Sequence, residues 1–256
     1  MKYLLRFFVP AATILFFLPV SSCKKDGKTQ SNSCKIVTMY DTLVTANGSV
    51  ETATIQISYN NDGNIATSKF DDGSIIISKT FTYGDHLIVV TPSPGANVPT
   101  DSVYLNDAGL PLKIKQVYPG PAPQLVSYFN YTYNSHNELQ LMVFQQIQNG
   151  AATGSSDTCV FANGDLVTKK TSYGTTTTYT YYTDKPAADA DFNRFYSLLN
   201  YGAVPIQSKH LLKSAQSSNG LDNYIYTFDT EGKILTAVDL QGSFSDSRTF
   251  GYDCSH

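Results

Sequence analysis

The sequence contains no tryptophan, and its four histidines are scattered along the chain. None of them has a second histidine or a cysteine at a spacing that zinc ligands use. The chain also lacks a G-x-S-x-G nucleophile elbow, a Walker A loop and a dinucleotide-binding fingerprint. We therefore predict no catalytic residue, no metal site and no cofactor, and a protein that is not an enzyme.

An excess of basic residues is also missing. Lys2 and Arg6 lie in an N-terminal segment that we expect to be removed, and the remaining chain then carries 16 Lys and Arg against 21 Asp and Glu, a formal charge of −5. Binding to phosphates requires a basic face. Nucleic acid is therefore not an expected partner.

Long apolar runs are scarce, and the one present lies at the N-terminus. Lys2 and Arg6 are followed by an apolar run over 7–20, and Val20-Ser21-Ser22-Cys23 closes it as a lipobox. This pattern is typical of a lipoprotein signal peptide, residues 1–22, with Cys23 as the lipidated first residue of the mature protein. Several acyl chains on one cysteine make anchoring permanent. We predict attachment to the outer membrane, on a side that the sequence leaves open.

An uncleaved transmembrane helix is the alternative interpretation of the same run. The run is shorter than the roughly 20 residues that span a bilayer, and Pro10 and Pro19 lie inside it. We therefore favour the signal peptide. Residues 23–33 are then a polar, lipidated tether, and residues 34–256 are predicted to form a single domain.

Three cysteines remain after Cys23 is set aside. A disulfide between Cys34 and Cys254 would join the first strand to the last and close a loop of about 220 residues. Cys159 lies beside a predicted strand and is equally suited to be a small buried apolar residue. We favour the Cys34–Cys254 pair and leave the role of Cys159 open.

A phrase made of an aromatic residue, a polar turn and an aliphatic residue recurs along the chain. Its instances are YNNDGNI at 59, YLNDAGL at 104, YNSHNEL at 133, FANGDL at 161 and FDTEGKI at 228. The flanking residues alternate between apolar and polar, which indicates half-buried antiparallel strands. Asn-Gly and Asp-Gly pairs supply the positive φ of tight turns. The sequence therefore predicts an all-β domain, an antiparallel β-meander of about fifteen strands.

The polar turn of YNNDGNI also invites comparison with a calcium-binding loop. With Gly63 aligned on the glycine at the sixth position of an EF-hand loop, the acid required at position twelve falls on Lys69. A lysine repels calcium, so the turn interpretation is favoured.

One segment breaks the alternation. In DKPAADADFNRFYSLLNYG, Pro186 lies near the start, Phe192, Phe195 and Leu199 follow at helical spacing, and Gly202 comes just past the end. This pattern predicts a short amphipathic helix over about 186–201, packed on the sheet.

The five phrases, the helix followed by SKHLLKSA, and the terminal FGYDC resemble Bacteroidota lipoproteins of unknown function with Tyr-rich, YD-like hairpin repeats, one of which is described as porin-like. The resemblance implies a sheet that curls into a barrel or half-barrel, and it implies no catalytic residues. We do not expect a membrane-spanning porin, because Lys69, Lys79 and Lys169 interrupt the apolar runs that lipid-facing strands need.

Two short patterns are similar to the O-glycosylation acceptor of the same bacteria. They are Asp41-Thr42-Leu43 and Asp101-Ser102-Val103, which make Thr42 and Ser102 candidate acceptors. Both patterns lie in strand-like runs, where alternation alone also explains them.

Two functional hypotheses follow. The first is a non-enzymatic binding or structural protein of the cell envelope, held to the membrane by its anchor and presenting a surface to a glycan or another envelope protein. The alternative is a glycan-binding or glycan-hydrolysing surface lipoprotein, with Asp71, Asp72 or Asp85 as acid and base. The many Tyr and Phe rings favour sugar stacking, whereas cross-strand packing and the lack of Trp argue against it.

Overall fold

The computed structural model describes residues 34–121 and 124–255. They form sixteen strands and one helix, α1 (Phe192–Tyr201). The strands are β1 (Lys35–Val44), β2 (Val50–Tyr59), β3 (Ile65–Asp71), β4 (Ile76–Gly84), β5 (Leu87–Pro92), β6 (Thr100–Leu105), β7 (Pro111–Val117), β8 (Val126–Tyr133), β9 (Leu139–Gln148), β10 (Ala151–Ala162), β11 (Asp165–Thr171), β12 (Thr176–Pro186), β13 (His210–Ser217), β14 (Gly220–Phe228), β15 (Ile234–Gln241) and β16 (Phe244–Asp253).

The strands close into one antiparallel barrel in which each strand pairs with its neighbours in sequence and β1 pairs with β16. The all-β meander is therefore confirmed, and of the two expected forms the closed barrel is the correct one. The predicted signal peptide, Cys23 and the tether lie outside the described residues.

The two ends of the barrel hold different connections. Every connection that follows an even-numbered strand lies at the end where the chain enters and leaves, and every connection that follows an odd-numbered strand lies at the other end. A disulfide joins Cys34 to Cys254 at the first end, which is the pair that the sequence favours. We call this the disulfide end and the opposite one the rim end.

All five repeated phrases lie at the disulfide end. Their aliphatic residues are almost completely buried, with exposed fractions between 1% and 6%. These residues are Ile65, Leu110, Leu139, Leu166 and Ile234. The repeat therefore places one buried apolar side chain beside five of the seven connections at this end, and these side chains contribute to the core there.

An Asn or Asp at the first turn position fixes four of these turns. In YNNDGNI the Oδ1 atom of Asn60 accepts hydrogen bonds from the backbone N–H groups of Asp62 (3.1 Å) and Asn64 (2.9 Å). Asn106, Asn134 and Asp229 accept the equivalent pair in their own turns. The side chain that organises the turn is thus the first polar residue, while Gly63 supplies the left-handed φ of +82°.

The outward face of the barrel is mainly polar. Thr38 lies opposite Gln56, and Gln56 lies opposite Lys69 on the next strand. Hydroxyl pairs such as Ser58 and Thr67, 2.6 Å apart, also bridge neighbouring strands on this face. Among the described strands this face has isolated apolar side chains but no continuous apolar band of the kind that lipid-facing strands carry.

The three lysines that sequence analysis groups together lie on different faces. Lys69 faces outward as predicted, but Lys79 donates a hydrogen bond to Asn200 of α1, and Lys169 lies opposite the buried Cys159. Only Lys69 therefore supports the argument against a lipid-facing band. Lys79 and Lys169 face the lumen because the barrel is wide enough to hold charged groups inside.

Helix α1 lies within the lumen. The Phe195 ring packs edge-on against Phe250 of β16, with centroids 5.2 Å apart, and Lys79 of β4 contacts Asn200 at 2.7 Å. The expectation of a short helix over 186–201 is correct for its C-terminal end and wrong for its start, because β12 continues to Pro186 and Asp191 caps the helix. No helix among the described residues is long and apolar enough to cross a membrane.

Candidate functional site

The interior of the barrel is divided along its length. Apolar side chains fill the half at the disulfide end, whereas inward-facing polar residues concentrate in the half toward the rim end. Those polar residues include Asp41, Ser68, Lys79, Asp101, Gln116, Ser127, Lys169, Asp222, Asp239, Asp246 and Arg248. Because buried polar groups cost free energy unless they are paired, this half is where a function is most reasonably sought.

Helix α1 presents two different faces inside the lumen. Phe192, Phe195 and Leu199 are buried in the core. The opposite face carries polar and exposed residues at helical spacing, among them Tyr196, which is 60% exposed, and Asn200. Cavities lie on two sides of the helix within the lumen, and Tyr196 contributes to both.

The first cavity, which we call the tyrosine cavity, has a volume of about 460 Å³ and lies between α1 and the inward faces of β11–β14. Four tyrosine rings line it: Tyr179, Tyr181, Tyr196 and Tyr224. Hydroxyl and amide side chains lie among them: Thr177, Asn193, Ser197, Ser208 and Ser217. This combination of aromatic surface and hydrogen-bonding groups is typical of a small-molecule site.

Three of the four tyrosines are held in place by the barrel. The Tyr181 hydroxyl donates to the backbone oxygen of Leu166 (2.8 Å), and Tyr224 is hydrogen bonded to Asn193. Tyr179 is hydrogen bonded to Thr177, and burial raises the pKa of its hydroxyl to about 12. In the described residues the Tyr196 hydroxyl has no hydrogen bond and its ring stacks on no other ring.

The second cavity, which we call the apolar cavity, has a volume of about 320 Å³ and lies between α1 and β1–β4. Its lining is chiefly aliphatic and aromatic: Met39, Ile55, Phe70, Ile77, Phe195 and Leu199. Lys79 stands in its wall, and burial lowers the pKa of this lysine while the nearby Asp101 partly restores it. The two cavities therefore offer different chemistry on the two sides of one helix.

Three carboxylates and one arginine form an acidic wall, made of Asp41, Asp239, Asp246 and Arg248 on β1, β15 and β16. Burial, reinforced by a hydrogen bond to Asp246 and its charge, raises the pKa of Asp41 to about 7. Burial and the charges of neighbouring aspartates raise the pKa of Asp239 to about 6. A buried Oδ1 atom of each of the three carboxylates has no hydrogen-bond donor. The protonated form of Asp41 can donate to Asp246, which accounts for the hydrogen bond between the two side chains.

Arg248 links this wall to the helix. Its Nη1 donates to the backbone oxygen of Phe192 (2.8 Å), its Nη2 donates to Asp246 (3.2 Å), and its guanidinium lies 3.5 Å from the centre of the Phe192 ring. Asp41 is an ion-pair partner at 3.7 Å. These contacts fix the N-terminal end of α1 inside the lumen.

The His210–Asp165 pair beside the tyrosine cavity has a structural role. The two side chains are 2.7 Å apart, and Asp165 also accepts from the backbone N–H groups of Lys209 and His210. Asp165 therefore ties the start of β13 to the start of β11. Asp191 is similarly committed, because it caps α1 and accepts from Leu212.

The structure separates the residues that the sequence marks as candidates. Thr42 and Ser102 both lie on the outward face, on β1 and β6, and their glycosylation stays a prediction. Asp71 and Asp72 lie at the rim end and Asp85 lies at the disulfide end, so these acids do not form a catalytic pair. The sequence analysis did not predict the acidic wall. The signal for it was Asp at strand positions where the alternation predicts an inward, apolar side chain.

Comparison with known proteins identifies relatives by fold. No known family model matches the sequence, and no curated protein matches it. A porin-like protein from Bacteroides uniformis superposes with a TM-score of 0.62 and 16% identity, over 85% of this chain and 98% of that protein. A porin-like protein from Bacteroides vulgatus does so with a TM-score of 0.57 and 12% identity over the same shares. At these identities the likeness concerns the fold.

Proposed function

We propose that this protein is a non-enzymatic lipoprotein of the bacterial outer membrane whose barrel binds a small ligand in a cavity of its lumen, beside α1. The observation that carries the proposal is the position of α1. The helix fills part of the lumen that an open channel would keep clear, and cavities remain on two of its sides.

The contacts of α1 favour a permanent plug. Arg248 holds its first turn through the Phe192 carbonyl, and Lys79 holds its last turn through Asn200. Gly202, which ends the helix, packs against the Tyr83 hydroxyl and the Phe81 ring. Anchors at both ends of the helix would all have to break before the lumen opened.

The outward face supports attachment to a membrane over insertion into one. The Ser, Thr and Lys side chains on this face would lose their hydration in lipid, which costs free energy. A barrel that is inserted in a membrane avoids this cost because its outward face carries an apolar band. A lipid on Cys23 would supply the membrane affinity that the barrel surface does not. The fold shared with porin-like proteins from Bacteroides agrees with an envelope location.

Two measurements test the proposal. We expect purified mature protein to add no conductance steps to a planar lipid bilayer, and we expect palmitate labelling of cells to be lost in Cys23→Ala. Stepwise conductance would contradict the plugged barrel, and labelling that survived Cys23→Ala would contradict the anchor. Cys159→Ala serves as the matched control, since a buried thiol within the barrel should not affect labelling.

A further inference from the structure

The tyrosine cavity carries a more specific inference, which rests on the proposed function. We infer that it binds a short, neutral saccharide whose ring stacks on Tyr196. The cavity volume of about 460 Å³ lies within the roughly 300–1,000 Å³ that small-molecule sites occupy.

The charges around the cavity argue for a neutral ligand. Lys169 is paired with Asp157 at 3.5 Å, and Arg194 is paired with Asp189 at 2.9 Å. Asp222 accepts a hydrogen bond from Gln241 at 2.6 Å. An anionic ligand would have to break one of the two ion pairs to gain a cationic partner, whereas a neutral ligand leaves both ion pairs and the Asp222 hydrogen bond intact.

The polar groups argue for a ligand with many hydroxyls. Thr177, Asn193, Ser197 and Ser217 bring hydroxyl and amide groups into a lining that also contains aromatic rings. Such groups donate and accept in turn, which matches the alternating donors and acceptors of sugar hydroxyls. Each of these groups has one partner within the protein and keeps further donor or acceptor capacity that the hydroxyls of a ligand could use. A purely apolar ligand would not use this capacity, and it would be better served by the apolar cavity across the helix.

Tyr196 supplies the stacking surface. It is 60% exposed although it lies on a helix inside the lumen, and the other tyrosines of the cavity are at least half-buried. The C–H groups on one face of a pyranose ring pack on an aromatic face, while its hydroxyls point outward to polar partners. Tyr179, which also lines the cavity, provides a second aromatic wall.

The absence of tryptophan gives the experiment a clean signal. In the variant Tyr196→Trp the only tryptophan of the chain would lie in the cavity, so its emission reports binding directly. The probes are neutral disaccharides and trisaccharides of glucose, galactose, mannose and N-acetylglucosamine. We expect at least one to shift the emission saturably, and the matched control Tyr173→Trp, at an exposed turn of the rim end, should give no shift.

Calorimetry on the unlabelled protein provides the second measurement. Tyr196→Ala should weaken binding of the same saccharide about ten-fold, the loss expected for one stacking contact, and Tyr173→Ala should leave it unchanged. Both residues are exposed, so neither substitution should affect folding.

The outcomes separate this inference from the proposed function. If no neutral saccharide gives a response but amines, carboxylates or acyl chains bind, the saccharide inference is wrong. The proposed ligand-binding function is then still supported. Binding that is equally strong in Tyr196→Ala would also overturn it. If no class of compound changes the emission or the thermal stability, then both proposals are wrong.

Discussion

The two ends of this barrel are built from the same alternating strands but differ in what the strands bury. At the disulfide end the repeated phrases supply five buried aliphatic residues, and Leu139 and Ile234 among them are 1% exposed. At the rim end the inward positions include Asp41, Asp239 and Arg248, and the interior is polar. The difference shows that one half of the barrel is a core that stabilises the fold, which leaves the other half free for acids, tyrosines and cavities.

The disulfide offers the strongest way to break this division. Replacing both partners, Cys34→Ser with Cys254→Ser, should lower the free energy of unfolding by about 5 kcal/mol, because the bond closes a loop across 220 positions and restricts the unfolded chain. Urea unfolding followed by circular dichroism measures the change. A reductant should bring the wild-type protein to the same stability and leave the double variant unaffected. Equal stability of the two proteins would contradict the role given to this bond.

The buried aliphatic residues of the repeated phrases give the next largest effect. Leu139→Ala should cost about 3 kcal/mol, since it removes buried methyl groups and leaves a cavity in a packed core. Its counterpart at an inward position of the rim end, Ile77→Ala, should cost only about 1 kcal/mol, because Ile77 lines the apolar cavity and is partly buried. The same urea experiment compares them. Similar losses from both variants would mean that the two halves of the barrel share one core.

The acidic wall at the rim end gives the smallest of the three effects on the free energy of unfolding. Burial raises the pKa values of Asp41 and Asp239 in this wall to about 7 and about 6, and that of Asp101 on β6 to about 6, so the folded chain binds protons more tightly than the unfolded chain. The free energy of unfolding should therefore rise as pH falls from about 7.5 to about 5.

Asp41→Asn isolates this contribution. At about pH 8 it should raise stability by about 1 to 2 kcal/mol, allowing for the screening of a group that is partly exposed, and it should flatten the pH dependence. Thermal unfolding across the pH range measures both effects. Asp62→Asn, in an exposed turn of the disulfide end, should change neither. A profile in Asp41→Asn as steep as that of the wild type would contradict the assignment.

The strand alternation and the repeated turns allowed most of the fold to be predicted. Each phrase combines a strand end, a turn and a buried aliphatic residue, so local patterns alone identify the meander. Closure of the barrel depends on the pairing of β1 with β16, which no local sequence pattern encodes. A count of about fifteen strands did not decide between a closed barrel and a half-barrel. The start of α1 was predicted too early because proline is common in the first turn of a helix. In the barrel Pro186 instead pairs with His210 at the end of β12.

The candidate site was harder to predict for a physical reason. Sequence patterns assume that the inward face is apolar, and Asp41, Asp239 and Arg248 break that assumption in a lumen wide enough to hold a helix and two cavities. The first turn shows the same limit on a smaller scale. Gly63 supplies the positive φ that the Asp-Gly pair predicts, whereas the side-chain hydrogen bonds that organise the turn belong to Asn60, one residue after the aromatic.

The pairing of β1 with β16 also has a consequence for how the protein is made. Lys35 lies opposite Asp253, so the seam of the barrel joins residues from the two ends of the domain. Every other pair of strands forms between neighbours in sequence, and such local contacts form early, while contacts between distant residues form slowly. The seam is therefore the last ladder to close, and it can do so only after β16 has been synthesised. Until then both outer strands present free edges, and the barrel that finally forms has none.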